Sequence, residues 1–378
     1  MADCPGRALA FVKPYPGYRK PGVSLRCQLC WRAQGESFLR PFDAYRAVRR
    51  GFGGRRRGRN DPICRGRLCV SREGAGENVG LAGPAAGGVL MITGKTRPIA
   101  LFGWPVEHSL SPAMQNAAFR YLGLDYVYLP LAVKPDNLGA AIAGLKAMGF
   151  AGANVTIPHK VAVMAYLDAL DDTARMVGAV NTIIIEDGRA TGHNTDAAAF
   201  IAALAAAGVK PNGKRVVLLG AGGAARAVAA GLIHHDAAQI TVVARSGDKA
   251  ATLAASFAAK DPIISAVPWA TAEFSRQLAE CDLLVNCTPV GMWPNSHEMP
   301  DIDWEQLNPG AVVCDLIYNP QETRLLLEAA RRGHQTVCGV GMLVEQGALA
   351  FTLWTGHEAP REIMAGILKQ RLHELTVL

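Results

Sequence analysis

Long apolar runs are absent from this chain of 378 residues, and none would span a bilayer. Charge is scarce as well, at 19% of residues against 50% hydrophobic, the balance of a globular α/β protein. From residue 91 onward there is no positive excess. Twenty-two Lys and Arg stand against 26 Asp and Glu, so that part offers no basic patch for nucleic acid. Cysteine is thin there too. Cys281, Cys287, Cys314 and Cys338 each lie in or beside an apolar run, and nothing suggests secretion. They are expected to be reduced core residues of a cytoplasmic protein.

The first ninety residues lack any sustained helical or strand period. They hold 17 Lys and Arg against 6 Asp and Glu, with the run Gly51–Arg59 in the middle. They therefore more than account for the net charge of +7. Three readings compete. Cys27-x-x-Cys30 with Cys64 and Cys69 could form a zinc module, although the second pair is spaced by four residues and little apolar core lies between. A basic arm could meet nucleic acid or a membrane surface. A transit peptide would be Arg-rich and acid-poor, but shorter and amphipathic. The plainer reading, which we adopt, is a segment that is disordered or not part of the natural protein, with Met91 as a sensible start.

What is present is centred on Arg215–Arg226, RVVLLGAGGAAR. Val216–Leu219 has the length and β-branched content of a strand buried on both faces. A turn with Gly220 and Gly222 follows, then an alanine-rich helix over Ala224–His235. Gly220 allows the sharp turn, and Gly222 lets phosphates approach the backbone. Ala225, where a third glycine would sit, lets helix and strand pack closely. The helix N-terminus offers N–H groups and a positive dipole end. The plainer reading is a glycine-rich turn with no ligand, but a second strand, Ile240–Ala244, follows at βαβ spacing. That strand has no Asp or Glu at its end to hold a ribose 2′-hydroxyl. It runs into Arg245-Ser246 instead, which favours NADP over NAD.

The length implies two domains. Strands are expected at Pro98–Phe102, Tyr126–Leu131, Ala151–Val155 and Thr182–Ile185, with helices at Pro112–Leu122, Pro135–Met148 and Pro158–Leu167. After Arg245 come strands Asp282–Asn286, Ala311–Leu316 and Thr336–Cys338 and helix Glu322–Arg332. A last helical pair, Leu343–Thr355 and Pro360–Leu372, is expected to return to the first domain. The fold class is α/β: an N-terminal α/β substrate-binding domain and a Rossmann-type NADP-binding domain. The expected boundaries are 1–90 for the extension, 91–197 with 346–378 for the substrate domain, and 198–345 for the nucleotide domain.

Several polar residues sit where chemistry needs them. Ser109 and Ser111 precede Pro112 at a helix start, where two hydroxyls suit a small carboxylate. Ser111 as a simple N-cap is the plainer reading. Lys160, in GANVTIPHK, is expected one turn into a helix, near its positive end. That is an unfavourable place for a cation and so a mark of function, with a solvated surface lysine as the alternative. Asp196 could be only an N-cap of helix Ala197–Ala207. Paired with Lys160 it gains another meaning. An Asp–Lys pair facing a nicotinamide can deliver a proton to an oxygen as hydride reaches carbon, the lysine serving as acid and base and the aspartate orienting it.

With these blocks in hand, the chain over 97–372 resembles the shikimate dehydrogenase family. The matching blocks, in order, are HSLSP, GANVTIPHK, GAVNT, GHNTD, GAGGAAR, NCTPVGM, DLIYNPQET and GVGMLVEQG. The resemblance implies that Ser109 and Ser111 hold the substrate carboxylate. Thr156, Asn181, Asp196 and Gln346 would bind ring hydroxyls, with Tyr318 and Gly339 bordering substrate and nicotinamide. Lys160 and Asp196 would be the catalytic pair. Gly220, Ala221, Gly222, Gly223, Ala224, Ala244, Arg245, Ser246, Thr288, Leu316 and Gly339 would contact NADP. The implied reaction is reversible, NADPH-dependent reduction of 3-dehydroshikimate to shikimate in aromatic amino-acid biosynthesis. A small-molecule substrate is implied, with no metal, membrane or nucleic-acid partner, and a homodimer is admitted. Two positions depart from the pattern. Gln115 stands where His usually precedes Asn116, and Ala244 replaces a frequent Asn. Rival readings are an NAD-using quinate or quinate/shikimate dehydrogenase, which an acid after the second strand would have favoured, and a non-catalytic NADP sensor, which loss of Lys160 or Asp196 would have favoured. A third is a nucleic-acid-binding protein acting through residues 1–90.

Overall fold

The computed structural model describes residues 91–258 and 263–377. Every reading of the first ninety residues lies outside them. Two six-stranded sheets organise the described residues. The first contains β1 (Arg97–Gly103), β2 (Tyr126–Ala132), β3 (Gly152–Val155), β4 (Ala169–Leu170), β5 (Thr182–Glu186) and β6 (Arg189–His193), in the spatial order β2-β1-β3-β5-β6-β4. It is mixed: β3–β5 and β5–β6 pair antiparallel and the remaining pairs are parallel. The second contains β7 (Arg215–Leu219), β8 (Gln239–Ala244), β9 (Ile264–Pro268), β10 (Leu283–Asn286), β11 (Val312–Asp315) and β12 (Thr336–Val337). It is parallel throughout, in the order β12-β11-β10-β7-β8-β9. Strand order reverses between β7 and β10, which opens a crevice at the carboxyl ends of those two strands, where such sheets bind ligands.

Helices cover both faces of each sheet. In chain order they are α1 (Ser111–Tyr121), α2 (Leu138–Ala147), α3 (Asp172–Val177), α4 (Asp196–Ala206), α5 (Gly223–His234), α6 (Gly247–Ala258), α7 (Ala272–Ala279), α8 (Arg324–Arg331), α9 (Val340–Thr355) and α10 (Arg361–Val377). The strands of the second sheet read as near-continuous apolar runs because both faces are covered. Alanine predominates in α4 and α5 and lets them approach. A Cβ at Gly231 would stand 3.1 Å from the Ala197 carbonyl. The last two helices return to the first sheet, as expected. Val344, Ala348, Phe351 and Trp354 of α9 and Met364, Leu368 and Leu372 of α10 share one core with Ile99 and Leu101 of β1 and Met114 and Phe119 of α1. Cys281 and Cys314 are buried thiols, and Cys287 and Cys338 are half-buried. Burial pushes the Cys281 thiol up to about 12.

The structure differs from expectation in three places. No α-helix runs over Pro158–Leu167. Residues 157–161 form turns, followed by a 3-10 helix at Ala162–Tyr166. Ile157 precedes a proline and is steered away from the α region, and Val161 and Val163 are stiff at χ1. The Lys160 carbonyl is also claimed by the Val180 N–H at 2.7 Å. Second, β4 and β6 complete the first sheet from segments too short or too polar to read as strands. Third, β9 and the helices α3, α6 and α7 also lay outside the expected elements.

Gly152 locks the returning helix. A Cβ there would lie 2.1 Å from the Ile183 carbonyl oxygen and 2.6 Å from Trp354 Nε1, whose N–H donates to that carbonyl at 2.9 Å. Gly152→Ala should cost about 1–3 kcal/mol by overpacking, read as a lower denaturant midpoint with an unchanged slope.

Candidate active site

The site begins with a buried carboxylate. Asp196 opens α4 and is 3% exposed. Its Oδ2 accepts from Lys160 Nζ at 2.5 Å, and its Oδ1 accepts from Asn181 Nδ2 at 2.8 Å. Asp196 does not cap its helix. Asn194 Oδ1 does so, accepting from the N–H groups of Asp196 (3.1 Å) and Ala197 (3.3 Å). The cap reading of Asp196 therefore falls, and its carboxylate is left for Lys160. The helix-dipole argument for Lys160 falls as well, because Lys160 lies in a turn. What holds it is the Val180 N–H on its carbonyl and the ion pair at its tip, with the side chain 17% exposed.

Behind the pair lies a row of polar side chains set by strand register. Asn154 pairs with Thr182, and Thr182 with His193. Asn181 Nδ2 also donates to Thr195 Oγ1 at 2.8 Å, and Asn181 Oδ1 accepts from the Thr195 N–H at 2.8 Å. Asn154 Nδ2 donates to Thr182 Oγ1 and to the Asn181 carbonyl, both at 3.0 Å. Tyr128, buried on β2, donates its hydroxyl to Asn154 Oδ1 at 2.7 Å. Thr195 Oγ1 donates to the Gln346 carbonyl at 3.1 Å, while the Gln346 side chain turns back to Leu343 on its own helix.

Four hydroxyls gather beside this row. Ser109 lies beside Tyr318, and Ser111 beside Tyr128. Burial pushes both phenols above their ordinary value. The residue at the N-cap of α1 is Leu110, with no side-chain cap, so Ser111 is not there as a cap. Thr156 follows β3, and a Cβ on Gly103 would stand 2.5 Å from Thr156 Cγ2. Gln115 is fully buried, and its Nε2 donates to the Gly347 carbonyl at 2.9 Å.

The glycine loop closes the other side. Gly220 has φ +110°, which excludes most side chains, and a Cβ would meet the Cys287 carbonyl carbon at 3.2 Å. Gly222 differs. Its φ is −87° and a Cβ would meet nothing within 4 Å. The protein itself does not require glycine there, and the open space lies at the N-terminus of α5, which has no side-chain cap and no acid in its first turn. That is the form of a phosphate cradle, so the residues fit a dinucleotide. A Cβ on Gly223 would lie 3.0 Å from Lys160 Cβ, so loop and lysine are neighbours. Ala221 and Ala224 complete the loop. Ala244 ends β8, with Arg245 exposed after it and Ser246 accepting from the Lys249 N–H. Thr288 follows β10 and Leu316 follows β11. A Cβ on Gly339 would stand 2.2 Å from the Leu316 carbonyl oxygen. Tyr128, Asn154, Thr182, Asn194 and Thr195 are the site-building residues that reasoning from sequence missed. All but Tyr128 lay in the motifs already quoted. Among the described residues no cluster of acids, histidines and cysteines could hold a metal, and no helix is long and apolar enough to cross a membrane.

The profile of the shikimate dehydrogenase substrate binding domain matches residues 101–183. That of shikimate / quinate 5-dehydrogenase matches 203–291, and that of the shikimate 5′-dehydrogenase C-terminal domain 339–369. The shikimate dehydrogenase (NADP(+)) of Desulforamulus reducens is 45% identical over 283 residues, which is 74% of this chain and 97% of the relative. A crystal structure of a shikimate dehydrogenase in complex with NADP+ is 44% identical with a TM-score of 0.70, covering 75% of this chain and 98% of that one. The ligand-free 5-ketofructose reductase of Gluconobacter sp. strain CHM43 is 38% identical with a TM-score of 0.65, covering 74% and 100%.

Asn181→Ala would leave Asp196 Oδ1 and Thr195 Oγ1 without their buried donor. The expected loss is about 1–3 kcal/mol of stability, measurable by denaturant unfolding. A neutral substitution would mean that the row is not held through Asn181.

Proposed function

This chain belongs to the shikimate dehydrogenase family, and on that premise we propose that it interconverts 3-dehydroshikimate and shikimate with NADP(H), using Lys160 and Asp196 as its catalytic pair. The observation that carries the reading is the Lys160–Asp196 ion pair at 2.5 Å beside the glycine loop. The hydride comes from NADPH when it is bound. The chain's own residues do the rest. Ser109 and Ser111 hold the substrate carboxylate, with Tyr318 beside Ser109. Thr156, Asn181, Asp196 and Gln346 hold ring hydroxyls. Lys160 Nζ gives a proton to the carbonyl oxygen in the reduction and accepts it back in the oxidation. Asp196 Oδ2 aims the ammonium, and Asn181 keeps Asp196 from turning away. Gly220–Ala224 cradle the phosphates, Arg245 and Ser246 meet the 2′-phosphate, and Ala244, Thr288, Leu316 and Gly339 line the rest of the cofactor. The same reading gives the enzyme a cytoplasmic setting and admits a homodimer.

The test uses the full chain with shikimate and NADP+, beside quinate, and 5-ketofructose with NADPH. Shikimate should be turned over best, and Lys160→Ala should lower kcat by about 10²–10⁴ with little change in NADP+ binding. Turnover of 5-ketofructose or quinate in preference to shikimate would overturn the substrate. Arg245→Ala should raise KM for NADP+ by about tenfold, the loss of one charged hydrogen bond, and leave KM for NAD+ unchanged. Equal effects on both would remove Arg245 from 2′-phosphate recognition.

A further inference from the structure

We propose that Asp315 is a positioning residue for the nicotinamide end of the cofactor site: one buried carboxylate fixes both turns that border it. The proposal rests on the reading of NADP in the β7/β10 crevice. Asp315 ends β11, opposite Asn286 at the end of β10, and is 0% exposed. Its Oδ1 accepts from Asn286 Nδ2 at 3.0 Å and from the Ile317 N–H at 3.1 Å. Its Oδ2 accepts from Thr323 Oγ1 at 2.7 Å.

Each donor belongs to a different element. Asn286 passes the constraint on, since its Oδ1 accepts from the Thr288 N–H at 3.0 Å and from Thr288 Oγ1 at 2.7 Å. Ile317 leads into the turn bearing Tyr318, and its carbonyl accepts from the Gly339 N–H at 3.2 Å. Thr323 caps α8, accepting from the Leu326 N–H. The turn after β10, the turn after β11 and the start of α8 are therefore tied to one side chain.

Three donors converge on it, so only a group that accepts at both oxygens satisfies them all. An amide or a protonated acid donates at one of the two positions, so the Thr323 hydroxyl would have to turn from donor to acceptor and its proton would lose the carboxylate. Burial pushes the Asp315 carboxyl up to about 6, opposed by the hydrogen bonds from Thr323, Ile317 and Asn286. The Cys287 and Cys314 thiols face it from the end of β10 and from β11, with Cys338 of the β12 end beside Cys314. Burial pushes the Cys287 and Cys314 thiols up, so both are neutral where Asp315 titrates. Arg324 of α8 turns to the His297 carbonyl. Below about pH 6 the proton on Asp315 displaces one donor and the turns loosen. Above it all three bonds hold.

The test is steady-state kinetics on the full chain, with NADP+ varied at saturating shikimate from about pH 5 to about pH 8. Wild type, Asp315→Asn and Thr323→Val are compared. The 2′-phosphate of the cofactor titrates alike in all three, so differences between the profiles report Asp315. The wild-type KM for NADP+ should rise on acidification by up to about tenfold more than that of Asp315→Asn. Asp315→Asn should carry the raised KM already at neutral pH, with KM for shikimate nearly unchanged. Thr323→Val keeps the carboxylate but removes a donor, so its inflection should move to higher pH. Parallel profiles in wild type and Asp315→Asn, or an unmoved inflection in Thr323→Val, would overturn the proposal. If Asp315→Asn fails to fold, Thr323→Val decides alone. NADPH binding, read by its fluorescence over the same pH range, repeats the comparison without turnover. Absence of shikimate oxidation would then count against the substrate and not against Asp315.

Discussion

A carboxylate kept out of water must have its oxygens occupied, and Asp196 is arranged around that need. One oxygen takes the Lys160 ammonium and the other the Asn181 amide. Asn181 can serve only because Thr195 fixes its amide from the opposite side and Asn154 holds its backbone. Asn154 in turn is oriented by Tyr128 and Thr182. The polar row is thus a chain of satisfied donors and acceptors running from the phenol of β2 to the lysine. It sits at the ends of strands whose register puts Asn154, Thr182 and His193 side by side.

The second sheet handles a buried carboxylate differently. Asp315 is met by an amide, a backbone N–H and a hydroxyl. Without an ammonium in contact, desolvation outweighs those bonds and the acid weakens to about 6. Its unfolded value is near 4, so the folded state binds the extra proton between the two values. Stability from this group is therefore greatest below that window and falls as pH rises through it. At neutral pH the charged form is a cost to the fold, which fits a residue kept for what it positions.

The features legible in sequence were local ones. Gly220 and Gly222 follow a buried strand directly, and Arg245 follows the next, so a short window carries their meaning. Lys160 and Asp196 stood out as polar residues at element starts, although the helix assumed for Lys160 does not form. Tyr128, Asn154 and Thr182 were out of reach because their role arises from pairing between strands far apart in sequence, and no spacing along the chain encodes that register. The short β4 and the polar β6 were missed for a related reason. β6 is a strand because β5 and β4 pair with it on either side, and β4 because it closes the sheet edge; neither has enough β-branched or alternating residues to announce itself.

The route of the chain has a further consequence for its birth. Ile99 and Phe119 emerge early, yet their core is completed by Phe351, Trp354, Met364 and Leu368. The second sheet lies wholly between these segments. On a ribosome, that sheet can pair and be covered while the first still lacks one of its helical walls. The substrate-side core therefore closes last, through contacts of high sequence separation, the slow kind to form. A chain truncated before α9 would leave Ile99, Met114 and Phe119 facing water, an apolar surface that a quality-control system could recognise.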